Sequence, residues 1–268
     1  MAPSAIHGVD FSGAQDAGRR IWISSGLIGG SRLRIVRTRP ACELPGGSRT
    51  RDAALAALRS FVQGECGGTI GLDFPFGLPR AVVPERTWKE FVLAFNDRYP
   101  SAEAFRAGCR GLPERELRRA TDYEAHTPWA AWNWRLYRQT YHGIGGVLAP
   151  LVREERVRVL PMDAPDGGLP SLLEICPAST LRRLGLAGLP YKRGARPEGR
   201  AAREAILERL IEDNGVTLEP IPMKRAVQDT GGDALDSVLA AVATYHAVTS
   251  NGLTTADANG RLEGRVYF

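Results

Sequence analysis

Three short runs near the start of the chain read as successive strands, two of them by alternation of apolar and polar side chains, and this succession constrains the fold most. Ala5 to Phe11 reads as a strand that leaves into the turn Ser12-Gly13-Ala14. Arg20 to Ile28 alternates as a second strand, Gly29-Gly30-Ser31 supplies a hairpin turn, and Arg32 to Thr38 alternates as a third. The chain therefore opens as an antiparallel meander. Arg51 to Gly64 then carries Ala54, Leu55, Leu58, Phe61 and Val62 at helical spacing. After Gly67-Gly68, Thr69 to Phe74 is a short apolar strand. The order β-β-β-α-β predicts an α/β protein with a mixed sheet: three antiparallel strands, then parallel ones, flanked by helices.

Pro75, Pro79 and Pro84 break regular structure. From about Thr87 to Glu155 the pattern is helical and rich in aromatics and Arg, which predicts a helical insertion or cap over 85–155 within a single domain spanning 1–268. Arg156–Leu160 and Ser171–Ile175 read as two more strands joined by the polar turn 163–168. Helices follow from Pro177, from Arg196 to Asn214 with Gly215 as the terminating residue, and from Asp233 to Ser250. Gly264 to Phe268 reads as an edge strand.

The strand ends and the last helix carry carboxylates. Asp10, Asp73 and Glu174 each close or interrupt an apolar run, and Asp233 and Asp236 stand three apart on one helix face. Buried carboxylates repel one another unless a cation lies between them, which points to a divalent metal site and to phosphoryl chemistry. Each acid also has a plainer account. Asp10 suits a turn cap, Asp73 a strand end satisfied by backbone amides, Glu174 an edge position, and Asp233 a helix cap. Asp236, one turn into its helix, is harder to explain by capping.

Taken in order, the segments VDFSGA, GLDFPFGLP, LEICPAST, LPYKRG and GDALDSVLAAVA resemble the domain-of-unknown-function family 429, described as predicted RNase H-like nucleases related to RuvC-type resolvases. The resemblance implies an RNase H-like fold and a two-cation Mg²⁺ or Mn²⁺ site hydrolysing phosphodiesters. Asp10 would bind metal on the first strand, Asp73 or Glu174 would supply the next carboxylate, and Asp236, with or without Asp233, those of the helix. The predicted first long helix carries Asp52 and no Glu before Glu65, a departure from ordinary RNase H that suits a RuvC-like arrangement better. Ser12, Arg119, Asn133, Arg135, Tyr137 and Lys192 are candidate substrate contacts: Arg and aromatic side chains can pair with phosphates and stack bases, although aromatics at helical spacing also pack cores. Lys192 belongs to the resembled LPYKRG pattern.

Composition agrees with an anionic partner without demanding one. The 268 residues carry a formal net charge of +5, and the isoelectric point is about 9.2, with nucleic acid the expected partner. Cys42, Cys66, Cys109 and Cys176 form no CxxC pair, and the four histidines form no HExxH or HxH motif. Neither a signal peptide nor a membrane span is legible, so a cytoplasmic protein is expected. No Walker-A, GxGxxG or GxSxG motif occurs. Two other readings of the acids stand beside the nuclease: an actin- or sugar-kinase-like phosphotransferase, which also begins with Asp before a Gly/Ser turn, and a non-catalytic nucleic-acid- or protein-binding module.

Overall fold

A computed structural model describes residues 5–110, 116–250, 253–254 and 256–268. Its strands are β1 (Ala5–Asp10), β2 (Trp22–Gly29), β3 (Arg32–Pro40), β4 (Thr69–Leu72), β5 (Arg158–Val159), β6 (Ser171–Ile175), β7 (Val216–Leu218) and β8 (Val266–Tyr267). Its α-helices are α1 (Ala17–Arg20), α2 (Arg51–Gly64), α3 (Trp88–Arg98), α4 (Ala102–Arg110), α5 (Ala120–Glu124), α6 (Tyr137–Gly143), α7 (Ala149–Arg153), α8 (Pro177–Arg183), α9 (Pro197–Asp213), α10 (Pro220–Gln228), α11 (Asp233–Thr249) and α12 (Ala258–Glu263). All eight strands join one sheet in the order β5-β6-β4-β1-β2-β3-β7, with β8 beside the C-terminal end of β6.

The predicted meander is present: β1 pairs antiparallel with β2, and β2 with β3. The parallel half follows as β1–β4, β4–β6, β5–β6 and β6–β8. Four details differ from the sequence expectation. The second strand begins at Trp22, because Ala17–Arg20 winds into α1. β5 shrinks to two residues and runs parallel to β6, so the connection between them is a crossover. Two elements had no sequence signal strong enough to read: β7, three residues that extend the sheet beyond β3, and α10, which starts through the unpromising Pro220-Ile221-Pro222. Proline is compatible with the first helical turn, where its missing N–H would have no partner.

The pleat divides the sheet's contacts. Val9, Ile70, Leu72 and Leu172 point to one face and pack with α2 and the helices of the insertion. Ile6, on the other face of β1, packs with α8, α9 and α11. Gly8 and Gly71 face α11, and the helix lies almost on the strands themselves. A Cβ on Gly8 would come 2.0 Å from the amide nitrogen of Ala241 and 2.3 Å from the carbonyl oxygen of Ser237; one on Gly71 would come 2.1 Å from Oγ1 of Thr244. The helix answers with small residues, Ser237, Ala240, Ala241 and Thr244, all buried. The Ser24 hydroxyl is bonded to that of Ser237 on the helix (2.8 Å) and to that of Thr38 on β3 (2.9 Å), which ties β2 and β3 to it.

The helical stretch expected over 87–155 is α3 to α7; positions 111–115 within it lie outside the described residues. Thr87 and Glu90 form a reciprocal capping box that starts α3. Phe91, Phe95, Tyr99, Phe105 and Tyr141 pack edge-on or tilted with ring centroids 5.2–6.4 Å apart, so most of the aromatics fill a core. A π-helical turn, Ile144–Leu148, joins α6 to α7; side chains of Asn96 and Arg59 bond the carbonyls of Gly145 and Gly146. No helix among the described residues is long and apolar enough to cross a membrane. The four cysteines are free thiols.

Candidate functional site

Parallel strands that end together make a shelf, and helix N-termini and loops gather above it. β1 and β4 run in register with Val9 opposite Leu72, so Asp10 and Asp73 leave their strands on the same rung; the ladder continues as the Asp73 amide bonds the Val9 carbonyl at 3.0 Å. Two residues back along each strand stand Gly8 and Gly71, on the same face by the period of two. The glycines let α11 close in, and its first turn brings Asp236 and Asp233 over the two strand-end acids. Asp10 and Asp236 are 7% and 2% exposed.

This concentration of negative charge changes every carboxyl in it. Burial, then the neighbouring charges of Asp236, Asp73 and Asp233, holds Asp10 well above the usual carboxylate range. Burial and Asp236 push Asp73 up to about 8, and a side-chain hydrogen bond joins it to Asp10. Burial and Asp229 raise Asp233 to about 6. Two partners temper Asp236: its Oδ2 meets Nζ of Lys192 at 2.5 Å, and its Oδ1 accepts from the Tyr191 hydroxyl at 2.9 Å. Burial opposes the Lys192 charge, but Asp236 followed by Tyr191 and Asp10 keep the ammonium protonated. One ammonium thus faces four acids. The Asp233 side chain is also not needed to cap α11, since Asp229 Oδ2 accepts from the Ala234 amide at 2.9 Å.

Glu174 is close by but turned the other way. Register sets it opposite Leu72, so the pleat sends it to the face of the insertion. There it meets Arg119, expected as a substrate contact and instead 1% exposed. All five N–H donors of Arg119 are used: to Glu174 Oε1 (2.5 Å) and Oε2 (2.8 Å), to Asp122 Oδ1 (2.8 Å) and Oδ2 (3.1 Å), and to the Glu263 carbonyl (2.9 Å). The Phe76 amide completes Glu174 at 2.9 Å. The candidate metal ligand and the candidate phosphate contact are thus bonded to each other.

Of the remaining candidates, Ser12, Arg135, Tyr137 and Lys192 line two adjoining clefts and Asn133 lines neither. A cleft of about 250 Å³ has Asp73, Asp236 and Lys192 in its wall, with Trp129 and Arg135 at the side. A wider groove of about 810 Å³ is lined by Ser12, Arg51, Trp134 and Arg138, and Arg135 and Gln139 belong to both. Ser12 accepts from the Ala14 amide at 3.3 Å, shaping the turn after β1. Asn133 and Tyr137 are buried and hold other groups: Asn133 accepts from the Arg135 amide and donates to Glu116, while the Tyr137 hydroxyl donates to Glu103. Tyr191, and Gln139, which bonds the Asp73 carbonyl, escaped the sequence reading as site residues. The adjacency of Tyr191 to Lys192 was the signal available for the first; nothing local marked the second.

Among the described residues, no three His, Cys, Asp or Glu side chains already enclose a common point for a metal ion. The donor chemistry nevertheless fits a hard divalent cation, which is commonly held by one or two carboxylates plus water and substrate phosphate rather than by a protein cage. Asp10 and Asp73 are such a pair, with Asp236 and Asp233 beside them. In comparisons with known proteins, the sequence model of a family described as a protein of unknown function, DUF429, matches residues 8–258. No curated protein and no solved structure matches.

Proposed function

The chain belongs to the DUF429 family, and from that footing we propose that it is an RNase H-like, Mg²⁺- or Mn²⁺-dependent phosphodiesterase acting on nucleic acid. One observation carries the reading: four carboxylates from β1, the end of β4 and α11, Asp10 and Asp236 buried and Asp73 and Asp233 half-buried, converge around the Lys192 ammonium, with Arg20 reaching Asp233 from the side. Such an excess of negative charge is relieved by a divalent cation. The sheet supports the same reading, with an antiparallel meander, parallel strands after it, and acids at the end of the central strand, on its parallel neighbour and on the last long helix.

Asp10 and Asp73 would hold the cation, with Asp236 adjacent. Bound there, a divalent cation supplies charge stabilisation to a phosphodiester and lowers the pKa of water. The chain's own groups have separate tasks. Lys192, already drawn to the acids, pairs with a phosphate oxygen as a point charge. Tyr191 fixes the orientation of Asp236, and Gln139 fixes the backbone at Asp73.

The experiment is cleavage of labelled single-stranded, duplex, hybrid and branched substrates with Mn²⁺, comparing wild type with Asp10→Asn. Metal-dependent cleavage by wild type, lost at least a hundredfold in the variant, is expected. No cleavage of any of these substrates removes the nuclease reading. A second reading, the non-catalytic module, draws on the Lys192–Asp236 and Arg119–Glu174 pairs, in which basic side chains already sit on two of the acids. Binding without cleavage would favour it. The phosphotransferase reading has less support, since the strands among the described residues all lie in one sheet and form no second core half.

A further inference from the structure

The two clefts meet at an unusual side chain. The guanidinium of Arg135 lies over two indoles, 4.7 Å from the centroid of Trp129 and 4.9 Å from that of Trp134. Trp129 belongs to the wall of the acid cleft, Trp134 to that of the wider groove, and Arg135 to both. The arrangement is fixed from below, because buried Asn133 accepts from the Arg135 amide at 3.0 Å and is itself held by Glu116. A guanidinium is planar and offers its flat faces to such rings, so the contacts help to place the side chain. Trp134 remains 61% exposed despite that contact. The open face of this indole, beside the acid cleft, is suited to an aromatic guest.

The groove beyond it is cationic. Arg51 and Arg138 line it with the Ser12–Ala14 turn. Arg51 bonds the Gly13 carbonyl at 3.1 Å, and its buried Nε has no partner in the protein. Glu103 is the opposing charge and is occupied by Arg138 (2.9 Å) and the Tyr137 hydroxyl (3.3 Å). The acid cleft is small: about 250 Å³ is space for one nucleoside-sized group.

We propose that this face binds single-stranded nucleic acid, with phosphates along Arg51, Arg138 and Arg135, one base stacked on Trp134, and the next phosphate delivered across Arg135 to the acid cleft. The proposal rests on the phosphodiesterase reading for its last step and names the substrate class. Alternating aromatic surface and Arg is the chemistry of single-strand binding, where each stacked base contributes without regard to sequence.

The test is fluorescence anisotropy in EDTA with labelled dT20, rU20 and a 20-base-pair duplex, for wild type, Trp134→Ala, Arg135→Ala and, as a distant surface control, Ile221→Ala. Single strands are expected to bind at least tenfold tighter than duplex. Trp134→Ala and Arg135→Ala are each expected to weaken single-strand binding about five- to a hundredfold, with circular dichroism and melting temperature of Trp134→Ala unchanged, and Ile221→Ala is expected to bind as wild type. A preference for dT20 or rU20 identifies which strand is used. Equal or tighter duplex binding, or full affinity in Trp134→Ala, overturns the proposal. Because metal is absent, the outcomes separate: strand binding without Mn²⁺-dependent cleavage keeps this inference and defeats the phosphodiesterase, while cleavage of duplex by a protein that neither binds nor cuts single strands does the reverse.

Discussion

Asp73→Asn should make the metal-free protein more stable, and increasingly so as pH rises. In the fold, burial and Asp236 raise the Asp73 carboxyl to about 8; in the unfolded chain it returns to about 3.9. Between those values the folded state binds a proton that the unfolded state has lost, so stability falls with rising pH, by up to about 1.4 kcal/mol per pH unit. Over roughly four units the ceiling is about 5–6 kcal/mol. Asparagine removes the charge and keeps the shape, but its amide must also be satisfied, so the net gain at pH 8 should be about 2–4 kcal/mol. For a chain of this size that is roughly 5–15 °C in melting temperature. Thermal melts of both proteins at pH 5, 6, 7 and 8 in EDTA measure it. The two curves should converge near pH 5 and separate toward pH 8, and Mn²⁺ at pH 8 should raise wild type more than the variant. A gap that does not change with pH, or a variant less stable at pH 8, would refute the crowded-acid argument.

Other substitutions probe the frame around the acids. Gly8→Ala should cost about 3 kcal/mol or more, because its Cβ meets backbone of α11 rather than a side chain that can swing away; Gly29→Ala, whose Cβ meets nothing within 4 Å, should stay within about 0.5 kcal/mol in the same urea titration. Arg119→Met should destabilise by about 3–5 kcal/mol by leaving Glu174 and Asp122 buried without a cation. That loss should shrink as pH falls and the freed carboxyls take up protons, which denaturation at pH 5 and 8 compares. Lys192→Met should lower metal-free stability by about 1–2 kcal/mol, discounted because the ammonium is half in water, yet tighten Mn²⁺ binding in calorimetry by vacating Asp236.

What could be read from the chain and what could not divides along one line, the difference between local pattern and register. The short apolar run of β1, alternation in β2 and β3 and helical spacing in α2, α9 and α11 are local, and these elements appear within one or two residues of expectation. The pairing of Asp10 with Asp73 was also within reach. Gly8-Val9-Asp10 and Gly71-Leu72-Asp73 repeat one pattern, a glycine and an acid two apart and therefore on one face, and the glycine is where the helix closes in. Glu174 looked like their equal. Only the offset of β6 against β4 shows that it points to the opposite face, and a one-residue slip would reverse the answer. The partners that neutralise charge lie 44 to 55 positions away, Lys192 for Asp236 and Arg119 for Glu174, beyond any local signal. β7 is three residues long and owes its conformation to β3.

The Arg119 knot has a consequence for modularity. Its bonds reach β6 through Glu174, α5 through Asp122 and α12 through Glu263, while Glu263 also accepts from the amides of Arg80 and Ala120, and the Val266 amide bonds Thr121. Residues 85–155 therefore share one buried charge network with the sheet and with the last helix. They cannot be grafted onto another scaffold, or excised, without parting the Arg119–Asp122 pair from the buried Glu174 carboxylate. The segment is thus tied cooperatively to the sheet, and transplanting it would require Glu174 and the segment 258–268 to travel with it.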